Sequence, residues 1–210
     1  MKNSPIDYGL VTYNITNKKP IQIFKEDIPE DQLIDYMLAS SYLPVFKYEK
    51  LIDNSYYFDG GIYNNCPIDM LLDRGYDEII AVRTKAIGIF KKVKTNKKIT
   101  YINSSESLGS IINFDHDQIE KNIKLGYFDT LKTFKNLEGI DYYFKPIDKD
   151  FISRKIVDVI GPKRRLLKTI ETILKNENKT NYKVYNIKWL IFKYSHLKKK
   201  EELINLLKTN

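Results

Sequence analysis

The chain opens on an alternation of apolar and polar positions. Val11, Tyr13 and Ile15 alternate with polar residues, Asn17-Lys18-Lys19-Pro20 turns the chain, and Ile21 and Ile23 alternate again. A period of two predicts a hairpin with one buried face. The period then lengthens. Leu33, Ile34, Met37 and Leu38 follow at helical spacing, behind Glu26-Asp27-Ile28-Pro29-Glu30-Asp31, whose carboxylates favour a helix start. Pro44 forces an extended exit. Tyr56-Tyr57-Phe58 reads as a short aromatic strand that ends at Asp59-Gly60-Gly61. Pro67 suits the first turn of the next helix, with Asn65 available just before it. Ile68, Leu71 and Leu72 give that helix its apolar stripe, and Gly75 suits its C-terminal cap.

Glu78-Ile79-Ile80-Ala81-Val82 then reads as a buried strand. Helix, glycine-marked turn and apolar strand form one link of an α/β alternation, which favours a parallel sheet. Ile99-Thr100-Tyr101-Ile102 is a second strand, reached through the basic loop 91–98. Gln118 to about Phe134 reads as a helix with Ile119, Ile123 and Leu131 on one side. After Pro146 the pattern is helical alone, near 151–160, 163–176 and 196–208, and Leu166, Leu167, Ile170, Ile173 and Leu174 make one of these helices amphipathic.

The fold these elements predict is α/β. It is part of a three-layer α/β/α sandwich, with a mainly parallel sheet, an antiparallel edge hairpin and a C-terminal helical segment. Residues 1–145 form the α/β part and residues 146–210 a basic helical appendage. A length of 210 residues fits one domain with such a tail.

Charge divides the chain further. Residues 1–90 carry 9 basic and 13 acidic side chains, a net of −4, while residues 91–210 carry 26 and 14, a net of +12. The basic half could face anionic phospholipid, or be a solvated lysine-rich surface. Nucleic acid is not an expected partner, because the tyrosines are scattered through strand-like segments and form no stacking platform. No apolar run approaches the length of a membrane span, and the first residues lack the apolar stretch of a signal peptide. The single Cys66 excludes an internal disulfide and a multi-cysteine metal site. The expected setting is cytoplasmic, with peripheral membrane contact through the basic C-terminal helices as one use of their charge.

Asp59-Gly60-Gly61 is the candidate for chemistry. A strand that stops at an acid leaves the carboxylate at the edge of a sheet, where open α/β folds place their sites. There it can orient a nucleophile or accept its proton. The two glycines allow a sharp bend, and Asp-Gly taken alone is also a common turn signal.

The surroundings decide between these readings. Met37-Leu38-Ala39-Ser40-Ser41-Tyr42-Leu43-Pro44-Val45-Phe46 precedes Tyr57-Phe58-Asp59-Gly60-Gly61-Ile62-Tyr63-Asn64-Asn65-Cys66-Pro67-Ile68, and Gly75-Tyr76-Asp77-Glu78-Ile79-Ile80-Ala81-Val82 follows. In that order these segments resemble the C-terminal half of a patatin-like phospholipase domain, over roughly residues 5–145. The resemblance implies acyl-ester hydrolysis by a serine–aspartate dyad, without a catalytic histidine, metal or cofactor. It implies that Asp59 is the dyad acid and that Gly60 and Gly61 are the glycines that follow it. The implied substrate is a phospholipid or another acyl-ester lipid.

Two of the family's elements are missing. No Gly-x-Ser-x-Gly nucleophile elbow occurs in the 210 residues, nor does a glycine-rich oxyanion loop. In the family both precede the matched segment, so the chain is expected to begin after them and to be inactive alone. Ser40 and Ser41 lie near a helix end, and Ser104, Ser105, Ser107 and Ser110 lie in a polar loop. None has the strand–turn–helix setting of a nucleophile. Three origins stay open: a truncated reading frame, an expressed piece of a longer protein, or one subunit of a split enzyme whose serine a separate polypeptide supplies. A half-domain with exposed apolar faces would tend to self-associate. The alternative is a non-catalytic, membrane- or protein-binding remnant.

The remaining candidates read more plainly. His116, in Phe114-Asp115-His116-Asp117, is expected at a surface helix start, and His196, beside three lysines, is expected to be exposed. Cys66 is expected to pack, although a thiol before a helix can be acidified. Trp189, Leu190, Ile191 and Phe192 suit burial better than a bilayer anchor. The leucine-rich helix near Lys163, Arg164, Arg165 and Lys168 could lie on a membrane or pack on the domain.

Overall fold

The structure is a computed structural model that describes residues 4–45, 47, 49–147 and 163–196, with side chains through residue 193. The helix expected near 151–160, and all but the first residue of the one expected near 196–208, lie outside these residues. The described elements are β1 (Gly9–Asn14), β2 (Lys19–Phe24), α1 (Leu33–Ser40), β3 (Tyr57–Asp59), α2 (Gly61–Asn64), α3 (Ile68–Asp73), β4 (Glu78–Arg83) and β5 (Lys98–Asn103). They continue with α4 (His116–Thr133), β6 (Tyr143–Phe144), α5 (Lys163–Asn176), β7 (Val184–Tyr185) and α6 (Ile187–His196). The chain is α/β, as the sequence predicts.

The chain divides into two compact units, residues 1–101 and 102–210. This division differs from the boundary expected at residue 146. Tyr142, Phe144 and Ile147 belong to the same apolar cluster as Leu166, Ile170, Leu174, Ile187 and Leu190, so that cluster spans the expected boundary.

In the first unit, the hairpin forms as predicted, with β1 antiparallel to β2 and Val11 opposite Gln22. β3 adds to the other side of β1, also antiparallel, so the sheet order is β2-β1-β3. β1 is therefore a central strand, and its buried residues differ from the expected face. Leu10, Val11, Thr12 and Asn14 are buried, while Tyr13 is only half-buried. The two polar residues tolerate burial because each finds partners. The Thr12 hydroxyl lies 2.9 Å from both the Ala39 and the Phe58 carbonyl oxygens. The Asn14 amide donates to the Tyr57 hydroxyl at 3.0 Å.

Helix α1 buries Ala39 against Ile52 and Tyr57, with Tyr36 packed alongside, and leaves Ile34, Met37 and Leu38 exposed. The predicted stripe is thus not the side that packs. α3 and β4 meet through Ile68, Ile79 and Ala81, with Leu71 and Leu72 packed on them. Gly75 ends the helix with φ +82°, and the N–H groups of Gly75 and Tyr76 return to the Leu72 and Leu71 carbonyls. This is the predicted glycine cap. β4 and β5 form a parallel pair, and Lys98 Nζ meets Glu78 at their common start, 3.0 Å away. β4 is buried on one face only. Ile80 and Val82 are exposed, contrary to the buried strand expected.

In the second unit, α4 starts at an Asp115 cap, whose side chain accepts from the Gln118 N–H at 2.8 Å. Its buried residues are Leu125 and Asp129, whereas Ile119 and Ile123, expected inside, are exposed. β6 pairs with β7 in parallel. α5 turns Leu166, Leu167, Ile170 and Leu174 into the core of this unit, with Ile173 beside them. The amphipathic stripe is therefore occupied by packing and is not free to lie on a bilayer. In α6, Leu190 is buried as expected, while Trp189 and Phe192 are exposed. No described helix is long and apolar enough to cross a membrane.

Candidate functional site at the Asp59 turn

Asp59 is the last residue of β3 and stands opposite Thr12 of β1 in the antiparallel ladder. Its N–H donates to the Tyr42 carbonyl at 2.9 Å, so the chain leaving α1 supports it as well. The half-buried carboxylate is oriented by one short contact, from the Gly61 N–H to Oδ1 at 2.7 Å. Its Oδ2 has no hydrogen-bond partner among the described residues.

The glycines do a different job from the bend expected of them. Gly60 has φ −60° and ψ −17°, which any residue can adopt. What excludes a side chain at Gly60 is space, since a Cβ there would lie 2.2 Å from the Val11 carbonyl oxygen. One on Gly61 would lie 3.1 Å from Asp59 Oδ1, a tight contact that the side chain can relieve only by shifting. The Gly60 carbonyl then accepts from the Tyr63 and Asn64 N–H groups, which starts α2 directly behind the acid.

Asn64 and Asn65 hold the far side of the turn. Asn64 is buried, donates to Asp69 Oδ1 at 2.8 Å and accepts from the Cys66 N–H. Asn65, expected before the helix, instead donates its amide to the Ala86 carbonyl at 3.1 Å. Its N–H bonds the Ile89 carbonyl at 2.7 Å, and the Ile89 N–H bonds the Gly61 carbonyl at 2.8 Å. Residues 86–89 are thereby part of the turn's support. Sequence reasoning assigned them no role, and their one local signal is Gly88 between two isoleucines.

The candidate serines have partners of their own. Ser40 and Ser41 donate back to the Met37 carbonyl. Ser104 donates to the Glu106 carbonyl, and Ser105 Oγ lies 3.3 Å from the Tyr143 hydroxyl. Ser107 accepts from the Gly109 N–H. The Ser110 carbonyl accepts from the Asn113 N–H. Among the described residues, no serine hydroxyl bonds Asp59. Cys66 packs beside Ile68, Ile79 and Ala81. Burial pushes its thiol up, only partly opposed by the positive charge of Arg83, so it is not an activated thiolate. His116 is an exposed first-turn residue of α4. The side chain of His196 lies outside the described residues. An apolar cleft of about 240 Å³ runs between Phe24, Met70, Leu71, Ile80 and Val82, and Asp59 is not among its walls.

Residues 1–72 match the family described as patatin-like phospholipase. This part of the chain is similar to that family. The match takes in the hairpin, α1, β3, the Asp59 turn and all but the last residue of α3, and it is shorter than the resemblance over residues 5–145. The similarity to a family of lipid acyl hydrolases rests on this segment, about a third of the chain. A search of curated proteins finds no match.

Proposed function

We propose that this chain supplies the acid of a patatin-like lipid acyl hydrolase, with Asp59 as the base partner of a serine from another polypeptide segment. The carrying observation is the asymmetry of the Asp59 carboxylate. One oxygen is fixed by the Gly61 N–H at 2.7 Å, which leaves the other for a hydroxyl. In the proposed reaction the serine Oγ attacks the ester carbonyl of an acyl lipid while Asp59 takes up its proton. The alcohol leaves with that proton, and water then cleaves the acyl-serine ester.

The 210 residues contain no Gly-x-Ser-x-Gly, so the chain alone is proposed to be inactive. A carboxylate without a nucleophile or oxyanion donors has nothing to activate. Exposure of the purified chain to a fluorophosphonate probe tests this: no serine becomes labelled. Stoichiometric labelling of one serine would overturn the reading. Mixing with a polypeptide that carries a patatin-like nucleophile elbow should restore ester hydrolysis, and Asp59→Asn should abolish that gain.

A further inference from the structure

The loop that supports the Asp59 turn has a surface of its own. Residues 84–98 contain six lysines and no acidic side chain. Ile87 is 89% exposed and Ile89 is 55% exposed, and Ile62, next to Gly61, is 40% exposed. These isoleucines are close in space because the Ile89 N–H is bonded to the Gly61 carbonyl. Gly88 permits this approach, since its φ is +154° and a Cβ there would lie 2.6 Å from the Gly61 oxygen.

The lysines of this loop fall into two groups. Lys97 and Lys98 pair with Asp77 and Glu78, and Lys91 sits over the Tyr63 ring. Lys85, Lys92 and Lys94 are exposed and have no ion pair among the described residues.

We propose that loop 84–94 docks this protein on an anionic phospholipid surface, with Ile62, Ile87 and Ile89 entering the interface and Lys85, Lys92 and Lys94 facing the lipid phosphates. Exposed apolar side chains rimmed by cations are the composition that such an interface rewards. Lysine stems span the boundary between tails and headgroups. Nucleic acid fits less well, because sequence-tolerant binding to bases uses exposed aromatics. The loop's aromatic, Phe90, is covered by the Arg83 guanidinium at 3.9 Å and packs against Tyr101. Three hydrogen bonds tie residues 86–89 to Gly61 and Asn65, so docking would bring the Asp59 turn to the lipid surface with the loop. The choice of lipid as partner rests on the patatin-like reading of residues 1–72.

Flotation of the full chain with vesicles tests the proposal. The chain should float with phosphatidylcholine vesicles that contain phosphatidylglycerol, less with pure phosphatidylcholine, and less again at high salt. I87S/I89S and K85E/K92E/K94E should each lower the bound fraction about tenfold or more. Both should keep the wild-type unfolding midpoint, since the altered side chains are exposed. Trp189→Ala, in the other unit, should float normally. Unchanged flotation of the two loop variants, loss only with Trp189→Ala, or equally tight retention on duplex DNA would overturn the proposal. Flotation needs no nucleophile, which separates it from the hydrolase reading. Flotation without hydrolysis, once the serine segment is supplied, sinks that reading alone. Hydrolysis of a soluble ester without flotation sinks this one alone.

Discussion

Gly60 packs so closely on Val11 that a Cβ would sit 2.2 Å from the Val11 carbonyl oxygen and 2.7 Å from its Cβ. The obstacle is backbone, which cannot swing away as a side chain can. Gly60→Ala should therefore destabilise the first unit by roughly 3 kcal/mol, the upper end of overpacking effects. A shift of the urea midpoint measures it. An effect below about 1 kcal/mol would mean that β1 and the turn separate easily.

Thr12 joins three pieces of the same unit, since its hydroxyl reaches carbonyls of α1 and β3 at 2.9 Å each. Valine has the same shape and no hydroxyl. Thr12→Val should lose about 2 kcal/mol, because the one hydroxyl proton that these two carbonyls share is removed. Thr12→Ser should lose less, and urea unfolding of the two variants makes the comparison.

Glu171 plays the matching role in the second unit. Its buried carboxylate accepts from the Ile140 N–H at 2.6 Å and from the Asp141 and Tyr142 N–H groups at 3.3 Å each. Glu171→Ala should destabilise this unit by roughly 1–3 kcal/mol. Amide exchange at Ile140 and Tyr142 should accelerate with it. Unchanged exchange there would show that the loop does not depend on Glu171.

Tyr143 makes the stability of the second unit sensitive to alkali. Its hydroxyl donates to Asp129 at 3.1 Å inside the unit, and burial raises its pKa above the ordinary value of 10. A raised folded value favours the protonated form. The corresponding stability is present below pH 10 and is lost as pH climbs from there towards the folded value. Lys132, over the Tyr143 ring, works oppositely: burial lowers its value from 10.5, so its contribution improves as pH rises from that lowered folded value to 10.5 and is constant above it. Tyr143→Phe should be less stable than wild type by about 1–2 kcal/mol at neutral pH. That gap should narrow above pH 10. Chemical unfolding of both proteins across the alkaline range checks it, and a constant gap would refute it.

Several features were legible in the sequence because they are local. Asn17-Lys18-Lys19-Pro20 turns a hairpin, His116 starts α4 and Gly75 closes α3. Asp59-Gly60-Gly61 lies where a short strand ends, as its pattern predicts. Which faces pack was less legible. Val11, Tyr13 and Ile15 share one side of a strand by period, yet Thr12 and Asn14 are buried because β3 and α1 supply their hydrogen-bond partners. Ile119 and Ile123 repeat at helical spacing, while α4 buries Leu125 and Asp129.

By itself, then, the sequence determined the α/β elements, the acid at the end of β3 and the lack of a Gly-x-Ser-x-Gly nucleophile elbow in these 210 residues. Each depends on neighbours a few positions apart, where spacing and residue type carry the physics. Tertiary structure alone decided that Gly60 is required by the closeness of Val11, and that residues 86–89 hold the Asp59 turn. Those relationships join segments distant along the chain. Periodicity shows which residues share a face, but what covers that face is set by the partner that folds onto it.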